Sequence, residues 1–86
     1  MKSVTMFIQK RCPYCVEAFN LLDKLYAQNP EYKTVDIKVI DELEEPVLAD
    51  SYDYYYVPTF YVDGEKRHEG AATLEKVQAV LDYALE

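Results

Sequence analysis

Cys12-Pro13-Tyr14-Cys15 stands between the apolar run Val4-Thr5-Met6-Phe7-Ile8 and an amphipathic run from Pro13 to about Gln28, and it holds both cysteines of the chain. In the first turn of a helix an i, i+3 spacing sets two Cα atoms about 5 to 6 Å apart, the separation a disulfide needs. The pair can then open and close with little backbone movement. Cys12 is expected at the N-cap or first helical position, where unpaired N–H groups and the positive end of the helix dipole favour a thiolate. Pro13 suits the first turn, having no N–H to leave unpaired and a φ already set for a helix. Such surroundings bring the first cysteine of C-x-x-C sites from a pKa of ~8.5 into the range ~3.5 to 7.5. Lys10 and Arg11 add two positive charges directly before Cys12 and are expected to help hold a thiolate or meet an anionic substrate. The same two cysteines also admit duller uses. As a structural staple they close too short a loop to remove much unfolded-state entropy, and as half a zinc site they lack partners beyond His68. Redox chemistry is the reading that uses every residue of the tetrad.

Working outward, residues 3 to 9 are short, apolar and β-branched enough for a buried strand. In the run that follows, Cys15, Phe19, Leu22 and Tyr26 share one helical face with Ala18 and Leu25 beside them, while Glu17, Asn20, Asp23 and Lys24 look outward. Asn29-Pro30 ends that helix. Val35, Ile37 and Val39 alternate with Thr34, Asp36 and Lys38 as a strand does. Residues 41 to 51 are expected to form a short helix, with Asp41 and Glu44 at capping-box spacing and Pro46 disturbing its first turn. Thr59 to Val62 and Lys66 to Glu69 predict two strands joined through Asp63-Gly64, a hairpin signal. Leu74, Val77, Val80, Leu81, Ala84 and Leu85 make the stripe of a closing helix with Thr73 as its N-cap. The order is βαβαββα.

Eighty-six residues, half of them apolar, predict one domain spanning 1–86. No stretch approaches the ~20 apolar residues of a membrane span, and the first residues have no basic region followed by an apolar core, so a cytoplasmic protein without membrane contact is expected. A lone cysteine pair in a reducing compartment is more suited to catalysis than to stapling. The net charge of −7, with acids crowded at Asp36, Asp41, Glu42, Glu44, Glu45, Asp50 and Asp53, argues against a nucleic-acid partner.

The tetrad, with Val4-Thr5-Met6-Phe7-Ile8 before it and Val57-Pro58-Thr59-Phe60 after it, resembles the dithiol glutaredoxins of the thioredoxin-like superfamily. The resemblance runs over essentially the whole chain in length and element order. It implies an α/β fold with a four-stranded mixed sheet flanked by helices, and a thiol-disulfide oxidoreductase with Cys12 and Cys15 as catalytic residues. Pro13, Tyr14 and Pro58 would support that site. Val57-Pro58 matches the unit that in this superfamily carries a cis peptide facing the cysteines, leaving the Val57 backbone open to an extended substrate. Glutathione is implied as co-substrate with no bound cofactor and no metal, and Lys10, Arg11, Tyr14, Tyr56, Val57 and Gly70 are the implied contacts. Tyr56 would lie nearest the cysteines, and its neighbours Tyr52, Tyr54 and Tyr55 offer flat apolar surface with polar tips. Disulfide-containing or glutathionylated proteins are the implied partners of a monomer.

Two family features are altered. Gln9 occupies the position of a basic residue three before the first cysteine, and Glu69-Gly70-Ala71-Ala72-Thr73 replaces a Gly-Gly segment followed by an acid. The Gly70-Ala71 ending looks more like a thioredoxin's. A thioredoxin-like carrier reduced by a flavin-dependent reductase is therefore the alternative, and an iron-sulfur carrier ranks behind it because one subunit supplies too few thiols for a cluster. His68 reads as a surface residue.

Overall fold

Val4, Met6, Phe7 and Ile8 are all buried, although a strand sends successive side chains to opposite faces. The computed structural model, which describes residues 1–86, gives the reason: β1 (Val4–Ile8) is an inner strand of a sheet covered on both sides. The sheet order is β2-β1-β3-β4, with β2 at Ile37–Asp41, β3 at Thr59–Val62 and β4 at Glu65–Glu69. β1 pairs parallel with β2 and antiparallel with β3, and β3 pairs antiparallel with β4. The parallel pair requires a crossover, which α1 (Pro13–Gln28) supplies. The fold is thus α/β with a four-stranded mixed sheet, consistent with the thioredoxin-like expectation.

One face of the sheet holds Val4, Met6, Ile8, Phe60 and Val62 against α1 and against α3 (Leu74–Leu85). On the other face Phe7, Ile40 and Tyr61 pack with Ala49 of α2 (Pro46–Asp50). Asp63 and Gly64 both take positive φ, 50° and 81°, which is what a two-residue hairpin turn demands. Thr73 caps α3 by accepting the Lys76 N–H at 3.2 Å. No helix is long and apolar enough to cross a membrane.

Three expectations shift. On α1 the buried residues are Cys15, Ala18, Leu21, Leu22 and Leu25, with Phe19 and Tyr26 only half-buried, because α1 packs on α3 and the following turn as well as on the sheet. The second strand begins two residues beyond Val35. Pro30–Thr34 forms a 3₁₀ turn, with the Asn29 side chain accepting the Glu31 N–H at 3.2 Å, and Val35 becomes its buried C-cap. Nor does Asp41 cap a helix. It ends β2, and its carboxylate accepts the N–H groups of Leu43 at 2.8 Å and Lys10 at 3.2 Å. α2 starts at Pro46, in the first-turn position a proline tolerates.

Candidate active site

Cys12 is the N-cap of α1 in extended conformation, with Pro13 in the first turn. Its N–H donates to the Gln9 carbonyl at 3.0 Å, and its own carbonyl accepts from Cys15 at 3.0 Å and Val16 at 3.1 Å. The chain therefore turns sharply from β1 into the helix and leaves the Cys12 thiol partly exposed at the helix mouth. Cys15, one turn in, is 1% exposed, and both thiols are free.

This difference in position separates their chemistry. The Cys12 thiol is drawn below its ordinary pKa, first by the Cys15 backbone N–H and then by the Tyr14 N–H and the Cys15 thiol. Partial desolvation and the negative charge of Glu42 oppose that shift. Burial foremost pushes Cys15 up to about 11, with Cys12 and Glu42 adding to the rise and the Gln9 N–H opposing it. The more exposed thiol is thus the more acidic of the two, and the buried one the more firmly protonated.

Lys10 does not stabilise the Cys12 thiolate as expected. Its ammonium is ion-paired with Glu44, so backbone amides do that work instead. Arg11 is exposed and has no hydrogen-bond or ion-pair partner in the chain. Tyr14, which lies between the cysteines in sequence, has 60% of its surface exposed.

The Val57-Pro58 peptide is cis. Val57 touches both sheet-face clusters, on one of which Cys12 also packs, so the chain brings this residue to the dithiol's side of the sheet. Neither its N–H nor its C=O has a hydrogen-bond partner within the chain, whereas the next carbonyl, that of Pro58, accepts the Gly70 N–H at 2.8 Å. Gly70 needs its glycine, with φ at 89°. Tyr56 lies against it, since a Cβ added there would meet the Tyr56 Cβ at 3.7 Å. His68 turns its Nε2 to the Gly70 carbonyl at 2.8 Å, a structural contact.

Two carboxylates organise this region without having been singled out from the sequence. Glu69 accepts the N–H groups of Tyr55 at 2.6 Å and Tyr56 at 3.0 Å while pairing with Lys66 at 2.7 Å, which fixes the segment leading into Val57. Lys66 first, with those amides, draws the Glu69 carboxyl down to about 2. Glu42 accepts from the Gln9 side-chain amide and from the Tyr54 hydroxyl, the latter at 2.7 Å. No sequence signal pairs them: it is the parallel register, with Ile8 opposite Asp41, that brings the next residues, Gln9 and Glu42, side by side.

The chain is similar to known proteins in sequence and in fold. The family model described as Glutaredoxin matches residues 4–67. The chain belongs to the glutaredoxin family. A thioredoxin from Methanocaldococcus jannaschii is 28% identical over 72 residues, covering 84% of this chain and 82% of that protein. A solved structure described as that of a malarial protein superposes with a TM-score of 0.73 at 18% identity, covering 100% of this chain and 99% of that one, a likeness of fold. A designed protein is similar at a TM-score of 0.64 and 28% identity, covering 99% of this chain and 73% of its own. This glutaredoxin-family membership supports a thiol-oxidoreductase role, and the matched segment contains Cys12, Cys15 and Pro58.

Proposed function

We propose that the protein reduces disulfides and glutathione mixed disulfides through the Cys12/Cys15 dithiol. The Cys12 thiolate attacks one sulfur of the substrate; a Cys12–substrate disulfide forms, and the second substrate sulfur leaves as a thiolate that takes a proton from water. Cys15 then gives up its proton and attacks the Cys12 sulfur, releasing the reduced substrate and leaving a Cys12–Cys15 disulfide. Two electrons pass from the dithiol to the substrate, and two glutathione molecules, becoming glutathione disulfide, restore it. The carrying observation is the split between the cysteines: Cys12 partly exposed at the helix N-cap with a lowered pKa, Cys15 buried one turn in with a raised one. The unpaired Val57 backbone supports the reading, because an extended substrate can add to it as a short strand.

Glutathione is the electron source in this reading, with Arg11 as the free cation for a carboxylate and Tyr14, Tyr56 and Gly70 bordering the approach. Reduction by a flavin-dependent thioredoxin reductase is the second reading. It is favoured by the use of Gln9 to bind Glu42, by the pairing of Lys10 with Glu44, and by the thioredoxin relative. Turnover of a glutathionylated peptide, with glutathione plus its reductase and separately with thioredoxin reductase, decides between them. Activity only in the second assay would replace the first reading, and none in either would remove both.

A further inference from the structure

The end of β2, α2 and the tyrosine segment border an open cleft of about 410 Å³ that the proposed reaction does not itself require. Glu42, Leu43, Asp50, Tyr52, Tyr54 and Tyr55 line it. Its volume lies at the small end of the ~300 to 1,000 Å³ range of ligand pockets, room for one long side chain. The Tyr52 and Tyr54 rings are held firmly, packing on Phe7 with centroids 4.7 and 4.9 Å away, whereas Tyr55 is 86% exposed at the rim.

The charge of this cleft is one-sided. Glu42 is bound by two neutral donors, Gln9 and Tyr54, so its carboxylate is positioned without being neutralised. Asp50 has no side-chain partner, no cation lines the walls, and Lys10 is taken by Glu44. Tyrosine faces carry the negative side of the ring quadrupole and attract cations within about 6 Å. Aromatic walls with two uncompensated carboxylates match an ammonium or guanidinium on an apolar stem.

We propose that this cleft is a specificity subsite for a lysine or arginine side chain of the polypeptide whose disulfide is presented to Cys12. A polypeptide is the fitting source because Tyr54–Tyr56 run straight into Val57, whose free N–H and C=O offer an extended chain a place to pair. Glu42 links the two places, its charge being felt by both thiols. The inference rests on the thiol-disulfide reading above.

The test uses peptides with one intramolecular disulfide that differ only in bearing lysine, glutamine or glutamate at each of the three positions on either side of it. Turnover of the glutamine series reports the oxidoreductase reading, and the lysine-to-glutamate ratio reports the subsite. At one position lysine is expected to be preferred over glutamate about tenfold in kcat/KM, carried by KM, an effect that added salt weakens. In Asp50→Asn and in Tyr55→Ala the preference falls below about threefold. The same peptides with serine for cysteine, titrated into the protein and followed by amide NMR shifts, carry the test even where nothing turns over. Lysine should move the Asp50 and Tyr52–Tyr55 signals where glutamine does not. Equal rates for all three residues, a preference that survives both substitutions, or the absence of lysine-specific shifts overturns the subsite while leaving the dithiol chemistry standing.

Discussion

The two faces of the sheet are built to different depths. Under α1 and α3 lies a core of 16 buried residues, Cys15 among them, and under the five-residue α2 only four. The thick face anchors the helix whose N-cap is Cys12, and Cys12 itself packs, partly buried, against that core. The thin face leaves Tyr52 and Tyr54 half-buried and Tyr55 exposed, with Glu42 and Glu69 holding the loop by hydrogen bonds. The proposed chemistry belongs to the deeply packed side, and the proposed side-chain subsite to the lightly packed one.

The strongest way to break that division is at the sulfurs. Cys12→Ser is expected to abolish every redox activity, while Cys15→Ser retains part of the glutathione-dependent reduction of glutathionylated substrates, because only Cys12 sits at the helix mouth with a lowered pKa. Should alkylation kinetics against pH identify Cys15 as the more acidic thiol, the two roles exchange.

Packing offers the next test. Leu25→Ala, in the large core, is expected to cost about 2 to 5 kcal/mol in urea unfolding. Tyr52→Ala, a half-buried ring tilted against Phe7 and edge-on to Tyr61 at the margin, should cost less than half as much. Equal losses would mean that the thin face is as integral to the fold as the thick one.

A smaller change sharpens the electrostatic side of the comparison. Because the charge of Glu42 raises both thiols, Glu42→Gln should move the alkylation midpoint of Cys12 to lower pH and increase its reactivity at neutral pH. An unchanged midpoint would show that solvent screens the carboxylate from the sulfur.

The smallest effect concerns Glu69. Its folded-state pKa of about 2 lies below the ~4.3 of an unfolded glutamate, so its contribution is complete above that value and lost as pH falls through about 2. Glu69→Gln at neutral pH should speed amide exchange at Tyr55 and Tyr56 with little change in global unfolding. Protection that persists in the variant would locate the anchoring of the loop elsewhere.

Much of the fold was legible because it depends on neighbours along the chain. The extent of α1 follows from the apolar period and Pro13, the β3–β4 turn from Asp63-Gly64, and the start of α3 from Thr73. Around Asp41 the reading slipped for an equally local reason: a carboxylate that can cap a helix can also close a turn two residues on, and the sequence has no means to prefer one. Lys10 misled in a similar way, since closeness to Cys12 in the chain says nothing of Glu44 waiting across the sheet end.

The sequence by itself determined the dithiol, its place at a helix start and the order of elements, because a C-x-x-C tetrad, a capping residue and a hydrophobic period are all properties of spacing. Only the tertiary structure decided which carboxylates reach the site. Parallel pairing of β1 with β2 sets Gln9 against Glu42 across 33 residues of chain, and the return of β4 brings Glu69 under Tyr55 and Tyr56. Such contacts arise where strand ends meet, and charge and hydrogen bonding act through space rather than along the backbone.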